Sequence, residues 1–215
     1  MSCKDFYLKI KEYCRQTQVL SSVESVLSWD QETYMPEQAI AHRADQISMI
    51  AKLVHERWTS VELRELLENC LNLNTGEIKL KGLSNQELRQ LDLLYLDWKK
   101  KISLPNEFVA DFSKIVSQAT HVWQKAKSES NFSLFEPYLQ QIIDFSRQRV
   151  AYIDPEKPVY DVLLDEYEPG LTTAKLNEIL IPLKKECIQM LKKIKLSRIK
   201  PKTFNSKFDF SKQLS

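Results

Sequence analysis

His42, His55 and His121 are the only histidines in the 215-residue chain, and hydrolytic metal chemistry would have to start from them. A zinc hydrolase needs ligands that converge, and two histidines four apart on one helix can share an ion. Val54-His55-Glu56-Arg57-Trp58-Thr59 begins in that way, but Thr59 stands where the second imidazole would be. One imidazole cannot hold a catalytic zinc, so His55 is expected on a solvated helix face. His121, between Thr120 and Val122, is expected half-buried and hydrogen-bonded. His42 has Arg43 beside it, and a neighbouring cation disfavours protonation without creating a catalyst.

Carboxylates offer a second possibility. Asp161, Asp165, Glu166 and Glu168 crowd the segment VYDVLLDEYEPG, with Asp161 and Asp165 four residues apart. Like charges at that spacing repel on a helix unless cations or backbone donors face them. No histidine lies nearby, so they are expected to cap helices or pair with arginines rather than hold a cation. No serine or cysteine stands in a nucleophile setting such as G-x-S-x-G. With glycine only at 76, 82 and 170, neither a Walker loop nor a dinucleotide loop can be built. No catalytic residue and no metal ligand is assigned in 1–215.

The elements around these residues read as helices. Three glycines in the whole chain are too few for the tight turns of a sheet protein. Apolar residues recur at helical spacing over about Lys4 to Ser28. They do so again at Ile40, Ala44, Ile47, Ala51, Val54 and Trp58. Capping boxes are expected at Thr59–Glu62, Ser84–Glu87 and Ser133–Glu136, each opening a helix. Leu104-Pro105 separates two further helices. Asp154 to Pro158 stops another, and Glu168-Pro169-Gly170 makes a turn before a last helix that Pro182 should bend. The fold class is therefore all-α, an array of packed antiparallel helices. Residues 1–195 are expected to form one helical domain, and 196–215 a basic, poorly ordered tail.

Composition narrows the partners. Hydrophobic residues are 43% and charged residues 28%, with a net charge of +2, so no global field points to nucleic acid or to a membrane surface. No stretch approaches the roughly 20 apolar residues of a membrane span. The N-terminus lacks the apolar core of a signal peptide. Cys3, Cys14, Cys70 and Cys187 have no paired spacing and suit a reducing, cytoplasmic setting.

The segment WDQETYMPEQAIAHR remains. Trp29 is expected to end the first helix and plug the gap between two crossing helices. Asp30 can accept backbone N–H bonds or pair with Arg43, and Pro36 suits the first turn of the following helix. This describes a rigid elbow rather than a reaction centre.

Taken in order, these segments resemble the thermostable (Taq-type) metallocarboxypeptidase family. LSWDQETYMP at 27–36 looks like its L-x-WD-x-x-T-x-MP corner, followed by Arg43 and Gln46. VHERW and ELRELLE, then LPNEFVADFSKIVSQATHVWQKAK, NFSLFEPYLQQIIDFSRQR and VYDVLLDEYEPGLTTAKL follow its pattern. The resemblance implies the N-terminal half of a mainly helical fold. It implies an enzyme that removes C-terminal amino acids from peptides using zinc or another divalent metal. In the family the metal sits on an H-E-x-x-H helix and a downstream glutamate, and the chain is commonly a homodimer.

No position in 1–215 matches H-E-x-x-H. The matching residues Trp29, Asp30, Thr33, Pro36, Arg43, Tyr160, Asp161, Asp165, Glu168 and Gly170 are accordingly read as architectural. The chain itself is expected to bind no metal and to be inactive alone, with a separate chain carrying H-E-x-x-H, or a second copy, as the partners the resemblance leaves open. The alternative reading is a non-catalytic helical binding or scaffold module.

Overall fold

The computed structural model describes residues 3–199. Eight α-helices follow one another along these residues: α1 (Cys3–Thr33), α2 (Ile40–Trp58), α3 (Val61–Cys70), α4 (Asn85–Ile102), α5 (Asn106–Ser128), α6 (Glu136–Ile153), α7 (Val159–Leu164) and α8 (Thr173–Leu196). Short 3-10 turns at Glu37–Ala39 and Phe132–Leu134 precede α2 and α6. Among the described residues the only β pairing is an isolated antiparallel bridge between Leu71 and Ile78. The all-α reading holds. The chain divides into two compact units, Met1–Leu163 and Leu164–Ser215. Residues 200–215, most of the expected basic tail, lie outside the described residues.

In the first unit one core joins α1, α3 and α4. Tyr7, Ile10 and Tyr13 of α1 pack with Leu63, Leu67 and Cys70 of α3 and with Leu91, Tyr95 and Trp98 of α4. These positions recur at three- and four-residue spacing, so each helix buries one stripe. Leu63 and Leu67 are completely buried. Cutting either back to alanine removes roughly 2–5 kcal/mol of stability.

The second contact zone of this unit is the pairing of α2 with α5, the most extensive between any two elements, with α6 packed on α5. Ala44, Ile47 and Ala51 of α2 are buried, as are Ala110, Ser117, Ala119 and Ala126 of α5. Small residues on both helices let the backbones approach, and the Ser48 hydroxyl donates across the seam to the Ala110 carbonyl at 2.9 Å. Where α5 meets α6 the packing is aromatic: Phe112 stacks on Phe145 at 5.5 Å, and Phe108 lies edge-on to Tyr152 at 5.3 Å.

Helix ends follow side-chain chemistry, not always as expected. The Ser84 box forms in full, each partner accepting the other's backbone N–H. At the α2–α3 junction Thr59 is not the cap. Its hydroxyl donates back to the His55 carbonyl at 2.9 Å, finishing α2, while Ser60 accepts the Leu63 N–H and opens α3. Nor does the Ser133 box form: Phe132–Leu134 coils into a 3-10 turn and Phe135 caps α6 with no side-chain bond. Leu104-Pro105 does separate α4 from α5, with Pro105 at the cap position.

After α3, the turn at Asn72–Gly76 lays the backbone on α4. Gly76 has φ +78°, and a Cβ there would stand 2.6 Å from Cε1 of the buried Tyr95 ring. The Tyr95 hydroxyl donates to the Leu73 carbonyl at 3.0 Å, so the ring is held and cannot yield. Gly76→Ala is therefore expected to destabilise by roughly 2–4 kcal/mol, from the left-handed backbone and the clash together. Ser84→Ala should cost only about 1 kcal/mol. Chemical denaturation of both variants checks the order; equal losses would contradict the close approach.

Candidate functional site

The elbow between α1 and α2 gathers the most densely bonded of the expected residues. α1 does not stop at Trp29 but continues through Thr33. No glycine or proline interrupts Ser28–Thr33, and Pro36 restricts only the residue before it, so the helix unwinds at Tyr34 and Met35. Both of their N–H groups donate to the Asp30 carbonyl at 3.0 Å. Pro36 caps the 3-10 turn that leads into α2 instead of occupying the first turn of α2. The Thr33 hydroxyl donates to the Trp29 carbonyl at 2.7 Å.

Trp29 corrects the expectation of a buried plug. It is 58% exposed and meets Tyr34 edge-on at 5.6 Å. An extra helical turn carries its ring past the crossing point onto the outer face.

The crossing is held by Arg43. Its Nη2 donates to Asp30 Oδ2 at 2.5 Å, Nη1 to the Leu27 carbonyl at 2.6 Å, and Nε to Gln46 Oε1 at 2.9 Å. The arginine side chain is 13% exposed and the aspartate 37%. One N–H from each guanidinium nitrogen is thus bonded within the elbow, to a carboxylate, a carbonyl and an amide. This arrangement fastens α2 to the last turns of α1. One helical turn away, Gln31 and Ser117 exchange bonds between α1 and α5: the amide donates to the Ser117 carbonyl at 3.0 Å, and the Ser117 hydroxyl donates to Gln31 Oε1 at 2.7 Å.

His55 is the clearest departure from expectation. It is 5% exposed, not solvated, and its Nε2 lies 2.8 Å from the Leu104 carbonyl, an acceptor, so that nitrogen carries a proton. It sits on the same stripe as Ala44, Ile47 and Ala51, and ties α2 to the α4–α5 connection. Burial pulls its pKa below the ordinary histidine value; the Leu104 bond opposes this and Lys101 adds to it.

A further polar group that sequence reasoning missed surrounds Arg57. Its guanidinium lies 4.5 Å over the Tyr13 ring, its Nε donates to Thr17 Oγ1 at 3.1 Å, and the Tyr13 hydroxyl donates to the Arg57 carbonyl at 2.8 Å. The signal available in the sequence was Thr17, a hydroxyl on the buried face of α1, where a polar group needs a partner.

The acidic segment separates into local turns. In the first unit, Tyr160 is exposed, and the Asp161 N–H donates to the Pro158 carbonyl at 3.0 Å in the first turn of α7. In the second unit, Asp165 Oδ1 accepts the Gly170 N–H at 2.8 Å, and the Glu168 N–H donates to the Leu164 carbonyl at 2.9 Å. Gly170 has φ +81°, which its lack of a Cβ permits. Asp165 is thus a turn-closing acceptor.

Among the described residues no group of three or more histidine, cysteine, aspartate or glutamate side chains could hold a metal ion. With His55 Nε2 committed to Leu104 and Asp30 to Arg43, these residues do not fit a zinc centre. No helix among the described residues is long and apolar enough to cross a membrane.

The helical array resembles that of a known family. The family model for carboxypeptidase Taq (M32) metallopeptidases matches residues 9–215, and the chain belongs to that family. It is 26% identical over 200 residues to carboxypeptidase 1 of Bacillus subtilis, covering 93% of this chain and 38% of that protein. It is 33% identical over 183 residues to thermostable carboxypeptidase 1 of Pyrococcus furiosus, covering 84% of this chain and 35% of that one. Among solved structures, the BsuCP crystal structure superposes with a TM-score of 0.83 at 26% identity, over 93% of this chain and 39% of that chain. The Pyrococcus furiosus carboxypeptidase structure does so at 0.69 and 30% identity, over 89% of this chain and 37% of that chain. The chain thus spans about two-fifths of the length of the curated relatives it matches. The family implies a divalent metal in the full-length protein.

Two outcomes follow from the geometry. Arg43→Ala should destabilise by roughly 2–4 kcal/mol because it strands a half-buried carboxylate and a carbonyl, and Arg43→Lys should recover only part of that, since one ammonium cannot reach three acceptors. Equal stability of Arg43→Lys and the unchanged chain would refute the clamp. For His55, the unfolded chain binds the proton more readily than the folded one. Stability should therefore fall as pH drops through the ordinary histidine pKa of about 6.5. Thermal unfolding between pH 7.5 and 5.5 should show a slope that is smaller in His55→Gln; an identical slope would remove His55 as its source.

Proposed function

We propose that this chain is the N-terminal helical portion of a zinc-dependent carboxypeptidase that releases C-terminal amino acids from peptides. In this reading the metal ligands come from polypeptide beyond these 215 residues, and the chain alone does not turn over. The observation that carries it is the match along almost the whole chain to proteins named carboxypeptidases, more than twice as long, together with a described set of side chains that does not fit a metal centre.

The physical role is that of a positioned wall. Arg43 fastens α1 to α2, His55 fastens α2 to the α4–α5 connection, and Gln31 with Ser117 fastens α1 to α5. Catalytic groups must be held to within a fraction of an ångström, and such supports supply that rigidity to whatever packs against them. The metal-bearing polypeptide, continuous with this chain or separate from it, would supply the Lewis acid and the activated water. The free thiols of Cys14 and Cys187 favour a reducing, cytoplasmic setting.

The test is to purify the 215-residue chain from a host lacking its own member of the family, assay it on blocked dipeptides and longer peptides with added zinc, and measure bound metal. No release of C-terminal residues and no stoichiometric zinc are expected. Turnover that scales with this polypeptide and is abolished by chelation would overturn the reading.

A further inference from the structure

α1 turns a polar stripe towards its neighbours. Gln18, Ser21, Glu24, Ser28 and Gln31 recur at intervals of three, three, four and three, which is one face of a helix. A face turned to other helices normally carries apolar side chains. Here the five polar ones line two adjoining cavities inside the first unit. The smaller, of about 290 Å³, lies among α1, α2 and α5. The larger, of about 570 Å³, reaches Lys101 of α4 and Arg149 of α6. Glu24, Phe112 and Ser113 line both, so Glu24 stands at their junction.

Glu24 is only partly exposed, and among the described residues no donor or cation is bonded to its carboxylate. Burial pushes its pKa above the ordinary carboxylate value, the mark of a charge taken from water without compensation. Water can satisfy the hydroxyls and amides of the stripe, but it supplies no positive charge. The other charged residue of the smaller cavity, Glu32, is also an acid. The described acids do not gather into a group of three that could hold a metal ion. The facing wall is aromatic, with Phe108 and Phe112 of α5 and Trp58 of α2. A carboxylate beside aromatic rings is the chemistry that receives an organic cation.

We propose that these joined cavities bind a small organic ammonium ion, its charge on Glu24 and its carbon body against Phe108 and Phe112. The ammonium belongs either to a simple amine or to an amino acid whose carboxylate meets Lys101 and Arg149 at the far end. The site goes beyond the carboxypeptidase reading and does not depend on it, since every wall belongs to the first unit of this chain.

The test is isothermal titration calorimetry of the 215-residue chain at neutral pH with phenethylamine, L-phenylalanine and 2-phenylethanol. At least one of the two amines should bind one to one, at least tenfold more tightly than the uncharged alcohol. Tighter binding of phenylalanine makes the ligand an amino acid, and tighter binding of phenethylamine makes it a simple amine; both support the site. Glu24→Gln should weaken the amine at least tenfold with unchanged helical circular dichroism. Its thermal unfolding without ligand should be no lower, because an uncompensated charge has been removed. Glu62→Gln, in the exposed first turn of α3, should bind as the unchanged chain does. Equal affinity for amine and alcohol would overturn the proposal by reducing the site to an apolar cavity, and that comparison needs no variant. Full binding by Glu24→Gln, or no binding of either amine, would overturn it too. None of these results bears on the proposed function, which stands or falls on metal and turnover.

Discussion

An arginine placed between two crossing helices needs acceptors for the donors it brings, and Arg43 finds them in three directions at once. The Leu27 carbonyl and the Asp30 carboxylate belong to the last turns of α1, Gln46 to α2. The guanidinium therefore defines the crossing: a shift of either helix along its axis breaks the two charge-assisted bonds to α1 together. The separation of the desolvated cation from its acceptors would cost more than the bonds themselves contribute, because a charge would remain behind without compensation. Everything α2 touches inherits that registration. Its small-residue stripe reaches α5, and His55 at its far end reaches the α4–α5 connection.

The polar bonds of the first unit therefore differ in kind from its apolar core. The core of α1, α3 and α4 is non-directional and tolerates repacking. The Arg43, His55, Arg57 and Gln31–Ser117 bonds are directional, and each joins segments distant in sequence. Together they convert a helical bundle, whose members could slide, into one with a single arrangement.

The helices were largely legible in the sequence. α2, α4 and α5 follow from the spacing of their apolar residues and from Pro105, because periodicity and a missing N–H act locally. The differences arise from competition between neighbours or from partners remote in sequence. Thr59 and Ser60 both carry a hydroxyl; the spacing to Glu62 favours the first, but only Ser60 has left the helix, so only Ser60 can cap. Trp29 is expected at a helix end, although nothing before Pro36 stops α1. His55, with no second ligand at Thr59, is expected on a solvated face, yet it stands four residues after Ala51 on the buried stripe, and a carbonyl from a connection 49 residues away satisfies it. A partner so remote leaves no mark in local spacing. The elbow's Asp30–Arg43 pair was one of two options the sequence offered, and the fold uses both, since the Asp30 backbone carbonyl accepts the turn N–H groups while its side chain meets the arginine.

The seam of alanines between α2 and α5 carries an entropic consequence. Alanine has no rotamers to lose on burial, whereas a leucine or methionine in the same place gives up about 0.5–2 kcal/mol of side-chain freedom. The buried alanines Ala44 and Ala51 of α2 and Ala110 of α5 thus add packed surface at almost no side-chain ordering cost. The same economy has a cost in tolerance, because a larger side chain at a buried alanine has to find room in an interior that is already packed.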